Sequence, residues 1–263
     1  MDILSINQLE TGYDRTVVSQ GLDHHFESDT ITSIIGPNGC GKTTLLKTIA
    51  RILPNLSGSV LLNGKQLNQY SSKEIAQELA ILSQTSETQI DLSVFDLVSF
   101  GRYPYQSGWH SLDKEDEKAI QWALEVTGLT AIARQSVATL SGGQRQRVWI
   151  AMALVQDTDI VLLDEPTTYL DPAHQLEVLN VLKMINMERK KTIIMTIHDI
   201  NLASRFSDQI IAMKEGRIVK EGTPGEVITE PLLKEVFDIT AEIICHAKSQ
   251  RPLMVSYEVG STV

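Results

Sequence analysis

Eight residues constrain this chain more than any others: Gly36-Pro37-Asn38-Gly39-Cys40-Gly41-Lys42-Thr43, set between the apolar run Ile31–Ile35 and the periodic segment Thr44–Leu53. They fit the form G-x-x-x-x-G-K-[ST], in which each residue type has a chemical task. Glycines let backbone N–H groups converge on phosphate oxygens. Lys42 supplies a point charge for the terminal phosphates, and the Thr43 hydroxyl can complete an Mg²⁺ shell. Ile31–Ile35 reads as a buried strand, and Thr44–Leu53 as a helix with Leu45, Ile49 and Ile52 on one face. Strand, loop and helix in that order aim a helix N-terminus at the phosphates. The bare pattern arises by chance in about one chain in a hundred of this length, so the flanks decide the reading: a nucleotide site on an α/β fold. Within the loop, Cys40 reads as a small filler, although the surrounding N–H dipoles could lower its thiol pKa.

The rest of the composition narrows the setting. At 263 residues there is ample length for a buried core. A net charge of −10 argues against nucleic acid as a partner of the surface as a whole. Cys40 and Cys245 show no metal or disulfide spacing, as expected in a reducing cytoplasm. No leader pattern opens the chain, and no apolar run approaches a membrane span. Any membrane work is therefore expected from another chain. Without repeats or a Pro/Gly/Ser-rich linker, one compact unit with an inserted lobe is expected.

Taken in order, residues 2–30 alternate weakly, as in short antiparallel strands, with Tyr13 on the turn between two of them, where an aromatic could stack on a nucleotide base. His24 and His25 lack ligand companions and read as surface residues. Ser59–Leu62 reads as a strand closed by an Asn63-Gly64 hairpin turn, and Ile81–Ser83 as a short strand ending at Gln84. Five of the fourteen aromatics then fall between Phe95 and Trp109, among them Tyr103 and Tyr105. Gly101, Pro104 and Gly108 break this stretch, so the patch is expected on irregular surface backbone, as a dock for another protein; a local aromatic core is the alternative.

Asp113–Thr127 reads as an amphipathic helix stopped by Gly128. Leu140-Ser141-Gly142-Gly143-Gln144 opens another helix, running through Leu154. Ser141 with Gln144 is a capping box, but two adjacent glycines weaken a first turn and expose its N–H groups to an anion. Asp159–Leu163 is a buried strand that runs into Asp164-Glu165, where open α/β sheets bind ligands. There Asp164 could hold Mg²⁺, and Glu165 could deprotonate a water. Asp171-Pro172 is an N-cap followed by proline at the first helical position. Thr192–Ile197 is a third buried strand, ending at His198-Asp199. Three strands thus end in the phosphate loop, an acidic pair and a histidine. Ile210–Met213 and Arg217–Val219 close a hairpin, and a helix with two strand-like runs follows Pro231.

The combination of phosphate loop, Leu140–Gln144 and Asp164-Glu165 resembles the nucleotide-binding subunits of ABC transporters, from about Asp2 through Val236. That resemblance implies a P-loop NTPase with a RecA-like core, an N-terminal antiparallel β subdomain and a helical subdomain inserted at about residues 86–157, within an ATPase domain spanning 1–236 and followed by an extension, 237–263. It implies ATP and Mg²⁺ as ligands. The ATP-binding set would be Tyr13, Gly36, Pro37, Asn38, Gly39, Cys40, Gly41, Lys42, Thr43, Thr44 and Gln84, with Mg²⁺ on Thr43, Gln84 and Asp164. Glu165 resembles the catalytic base, His198 the switch histidine and Lys42 the phosphate-binding lysine. Ser141, Gly142, Gly143, Gln144 and Asp171 would act in trans, across a head-to-tail homodimer.

Two further stretches, Gly101-Arg102-Tyr103-Pro104-Tyr105 and Asp164–Asp171 followed by His174-Gln175, are similar to the importers of iron(III)–siderophores, haem and vitamin B12. The ferric-siderophore branch is the most similar, although Pro172 replaces its common aliphatic residue. In this reading Arg102, Tyr103, Pro104 and Tyr105 receive a membrane permease at the cytoplasmic face, and an extracytoplasmic substrate-binding protein acts indirectly. A soluble ABC ATPase would use the same engine, but the second cassette or coiled-coil insertion usual there is absent from the sequence.

Overall fold

Two twelve-residue strands, β1 (Asp2–Tyr13) and β2 (Thr16–Glu27), pair antiparallel at the start of the chain. The computed structural model describes residues 2–14, 16–83, 91–106 and 112–259, and falls into two units, Met1–Gln69 with Thr192–Val263, and Tyr70–Lys191. The weak alternation of the first strands has a physical cause. Register shifts interrupt the β1–β2 ladder between Ile6 and Leu9 and again between Leu9 and Thr11, and Gln8 has a φ of 45°. The extra residue on β1 between Ile6 and Leu9 slips its side-chain parity by one, so Leu4 and Ile6 and then Leu9 and Thr11 are buried without one strict period of two; the irregularity between Leu9 and Thr11 adds its residue on β2. His24 departs from the surface reading: its side chain is about one-tenth exposed, with Nδ1 2.6 Å from Glu221 Oε2 and its ring edge-on to Phe26.

β3 (Ile31–Ile35) is buried at every position and leads through the glycine-rich loop into α1 (Lys42–Ile49). This helix ends earlier than its periodicity predicts. Arg51 takes the left-handed conformation, and the Ile52 and Arg51 amides donate back to the Lys47 and Thr48 carbonyls in a Schellman closure. Ile52, expected on the helix's apolar face, is therefore outside it and exposed. β4 (Ser57–Leu62) pairs with β1 and turns through Asn63 (φ 50°) and Gly64 (φ 75°) into β5 (Lys65–Gln66), completing the sheet order β2-β1-β4-β5. Two left-handed turn residues match the twist of the flanking strands, which is why Asn-Gly was a readable signal.

The second unit is built on α2 (Ser72–Glu78), β6 (Leu79–Leu82), α3 (Val94–Ser99), α4 (Lys114–Val126), α5 (Gly142–Leu154), β7 (Ile160–Leu163) and α6 (Pro172–Arg189). β6 and β7 pair in parallel. α4 follows its sequence closely: the Asp113 carboxylate accepts from the Glu115 and Asp116 amides, and Gly128 closes the helix at φ 67°. Its stripe of Ile120, Ala123 and Leu124 packs with Val94, Leu97 and Val98 of α3 and with Val148 and Ala151 of α5. Each large aliphatic buried there contributes about 1.5–3 kcal/mol.

The chain returns to the first unit through β8 (Thr192–Thr196), α7 (Ile200–Phe206), β9 (Gln209–Lys214) and β10 (Arg217–Gly222). β3 lies between β8 and β9, parallel to both, and β10 adds antiparallel to β9. Strands buried on both faces need mostly apolar runs, which Ile31–Ile35, Thr192–Ile197 and Ile210–Met213 supply, with the small polar residues Thr32, Ser33, Thr192 and Thr196 buried among them. α8 (Pro224–Val227), α9 (Glu230–Phe237) and the hairpin of β11 (Ile239–Cys245) with β12 (Pro252–Val259) complete the unit. The hairpin clasps α7. Asn201 exchanges two hydrogen bonds with the Met254 backbone, and Ser204 Oγ donates to the Pro252 carbonyl.

Candidate nucleotide site

The phosphate loop leaves the C-terminal end of β3 under tight steric control. A Cβ on Gly36 would lie 2.3 Å from the Met213 carbonyl oxygen, and one on Gly41 would lie 2.3 Å from Ser19 Oγ, with Gly41 at φ 104°. No side chain is tolerated at either place. Lys42 begins α1, and its buried ammonium donates to the Gly36 and Pro37 carbonyls at 2.8 and 3.0 Å, folding the lysine back over the loop. Gly41, the N-cap, offers no side chain to the first turn of α1, so its N–H groups face outward toward any anion. Thr43 and Thr44 stand in that turn. The Gly216 amide donates to the Cys40 carbonyl, bracing the loop from the β9–β10 turn. Cys40 is buried, and burial pushes its thiol pKa up against the opposing charge of Lys42, the reverse of the shift that the N–H dipoles could have produced. Tyr13 ends β1 and is about half exposed.

His198 follows β8 and is exposed, while Asp199 caps α7 by accepting from the Leu202 amide at 2.9 Å. Because β3 and β8 are adjacent and parallel, the phosphate loop and His198 leave the sheet at the same edge. Within the first unit, the structure thus brings together two of the three strand-end features.

In the second unit, Asp164 and Glu165 follow β7. The Asp164 amide donates to the Leu82 carbonyl, and its side chain is buried. Glu165 adopts φ 53°, a left-handed conformation that is costly for a side chain with a Cβ. Its Oε2 accepts from Thr168 Oγ1 at 3.0 Å, which aims the carboxylate. Gln84, expected near this end of β6, lies outside the described residues, as does Trp109.

The start of α5 has both halves of its capping box: the Gln144 amide donates to Ser141 Oγ at 3.3 Å, and the Ser141 amide to Gln144 Oε1 at 3.0 Å. Asp171 caps α6, with the His174 amide 3.0 Å from Oδ1. That bond and the His174 ring hold the Asp171 carboxyl below the usual carboxylate range. His174, which in the sequence stood out only through the His174-Gln175 resemblance and had no role assigned, lies against the first turn of α5, where it closely approaches Gly143.

The ABC transporter family model matches residues 19–168. The chain belongs to the ABC transporter family. It is 51% identical, over 98% of its length and 96% of the relative's, to the iron(3+)-hydroxamate import ATP-binding protein FhuC of Bacillus subtilis (strain 168). It is 44% identical, over 94% of its length and 92% of the relative's, to the ferric enterobactin transport ATP-binding protein FepC of Escherichia coli (strain K12). Among solved structures, a dimeric ATP-binding cassette in a post-hydrolysis state, bound to ADP and Pi, superposes with a TM-score of 0.74 at 26% identity, covering 84% of this chain and 98% of that one. This ABC protein is thus an ATP-binding ATPase of the P-loop NTPase fold. Among its described residues no helix is long and apolar enough to cross a membrane.

The aromatic stretch of this ABC ATPase differs from a uniform surface patch. α3 continues into a tight 3₁₀ helix over Phe100–Tyr105, which replaces the expected irregular backbone. Phe100, Tyr103 and Tyr105 are exposed, Tyr103 most of all at 77% and Tyr105 least. Arg102 is not part of the exposed face: it is buried, with Nε 2.7 Å from Asp116 Oδ1, Nη1 3.1 Å from the Val155 carbonyl, and its guanidinium 3.9 Å from the Tyr105 ring centroid. A buried arginine needs a carboxylate, and Asp116, which reads in sequence as one of several first-turn acids, supplies it.

Proposed function

We propose that this ABC ATPase powers import of an iron(III)–siderophore chelate through a membrane permease, working as a head-to-tail homodimer at the cytoplasmic face of the membrane. ATP would occupy the loop Gly36–Thr44, with Tyr13 against the base. Lys42 would bring charge to the γ-phosphate. Ser141, Gly142, Gly143 and Gln144, with Asp171, would complete the site of the partner subunit. The helical lobe at about 86–157 would present Tyr103, Pro104 and Tyr105 to the permease, and a binding protein outside the cell would deliver the chelate. The substrate class comes from the relatives named for iron(3+)-hydroxamate and ferric enterobactin transport.

The observation that carries the hydrolytic part is the strained backbone of Glu165 at the end of β7, with its carboxylate aimed by Thr168. Glu165 takes a proton from the attacking water, and His198 orients the water and the γ-phosphate. The reaction is a loose phosphoryl transfer, so catalysis consists of positioning and charge stabilisation. The Thr43 hydroxyl, the Gln84 amide oxygen and the Asp164 carboxylate are hard oxygen donors that suit Mg²⁺, which when bound neutralises phosphate charge. Replacement of Glu165 by Gln should leave ATP binding intact and lower turnover about 10²–10⁴-fold, trapping an ATP-bound dimer. Undiminished turnover would refute the assignment of the base. Tyr103→Ala with Tyr105→Ala should abolish uptake in the assembled transporter while sparing the ATPase of the isolated subunit.

A further inference from the structure

The two glycines that open α5 stand in different surroundings. A Cβ at Gly142 would meet nothing within 4 Å, whereas one at Gly143 would lie 2.9 Å from Cδ2 and 3.1 Å from Cγ of His174. The imidazole therefore fills the space that a side chain at 143 would need. On its other side, His174 Nδ1 lies 2.8 Å from Asp171 Oδ2. The carboxyl, held below its usual range, is ionised and can only accept, so Nδ1 carries the proton. One turn further along both helices, Arg147 Nη1 and Glu177 Oε2 are 3.2 Å apart, while Gln146 Nε2 of α5 donates at 3.0 Å to the carbonyl of Pro166, in the segment that precedes α6. The first turns of α5 and α6 are thus laced together, with His174 as the spacer nearest their tips.

We propose that His174 is a positioning residue for ATP hydrolysis, setting the distance between Asp171 and the Gly142-Gly143 helix start. These are the two features that the dimer reading assigns to the half-site offered to a partner's nucleotide, and the inference rests on that reading. Gly142 is open because a phosphate approaches there; Gly143 is a glycine because His174 is behind it. A misplacement of about 1 Å in such a constellation can cost about a hundredfold in rate.

The test is a suppressor experiment on the full chain with Gly143→Ala, His174→Ala and the double variant, each also in a Glu165→Gln background. Turnover and KM for ATP, nucleotide affinity of the monomer, thermal midpoint, and ATP-dependent dimer formation by light scattering are measured. Gly143→Ala should lower kcat about a hundredfold and His174→Ala about tenfold. Monomer nucleotide affinity and thermal midpoint should stay at parental values, which separates positioning from folding. In the double variant the new methyl enters the space left by the ring, and kcat should recover at least about tenfold over Gly143→Ala. A double variant as slow as Gly143→Ala or slower, or a His174→Ala variant with parental kcat, overturns the proposal. A Glu165→Gln parent that stays monomeric with ATP overturns the dimer reading, and the proposal with it. A parent that dimerises without rescue in the double variant overturns the proposal alone.

Discussion

The two oxygens of the Asp171 carboxylate hold one residue, His174, by its backbone N–H at 3.0 Å and by its ring Nδ1 at 2.8 Å. One side chain therefore serves as a helix cap and as the anchor of an imidazole.

These two duties can be separated by substitution. Asp171→Ser keeps an oxygen for the cap but loses the anchor, whereas Asp171→Ala loses both. The urea midpoint should fall in the alanine variant and hold in the serine variant, while ATP turnover falls in both. The folded pKa of Asp171 is depressed, so its contribution is fully present above the unfolded value of about 3.9 and is lost as pH falls through the lower folded value. The stability difference between the parent and Asp171→Ala should accordingly vanish in acid.

The two cysteines should label at very different rates. Cys40 is buried and its thiol pKa is raised by burial, whereas Cys245 is exposed. At pH 7.5, iodoacetamide followed by mass spectrometry should find Cys245 modified first, with Cys40 reacting only on unfolding. Equal rates would contradict the burial of the loop.

Arg102 and Tyr103 are neighbours with opposite expected sensitivities. Arg102→Met strands the Asp116 carboxylate and should cost about 3–5 kcal/mol in urea unfolding. Tyr103→Ala, at a site 77% exposed, should stay within about 0.5 kcal/mol. Pairing Arg102→Met with Asp116→Leu should recover stability relative to Arg102→Met alone, because no buried charge is then left unpaired.

His24 gives the first unit a pH dependence. Burial lowers its pKa from 6.5, with Glu221 opposing the shift. Stability from this group is fully present above 6.5 and is lost as pH falls from there through the folded value. His24→Gln retains a donor for Glu221 and does not titrate. Denaturation midpoints compared at pH 7.5 and 5.5 should therefore drop less in the variant than in the parent.

Much of the fold was legible because its signals are local. Asp113 and Gly128 bracket α4, Asn63-Gly64 turns a hairpin, and the apolar runs ending at Gly36, Asp164 and His198 are the buried strands. The sequence failed where conformation depended on partners distant in the chain or on a backbone choice that the residue type does not announce. Arg51 ends α1 in the left-handed region without being a glycine, and bulges in β1 disguise its alternation. Arg102 turns inward because Asp116, fourteen residues away, awaits it, and His24 is covered through Glu221, nearly two hundred residues on. Of the candidate site, the phosphate loop, Glu165, His198 and the capped start of α5 could be named from spacing. His174 was named only for its resemblance to importer sequences, and its packing against Gly143 was not legible because the two stand on different helices.

The hydrogen bonds between Asn201 and Met254 join positions 53 residues apart. During synthesis, α7, the helix that directly follows His198, emerges well before the segment that clasps it. The helix that begins just after His198 is therefore held by backbone that the chain supplies only some fifty residues later, so its final order depends on a non-local contact rather than on its own seven residues.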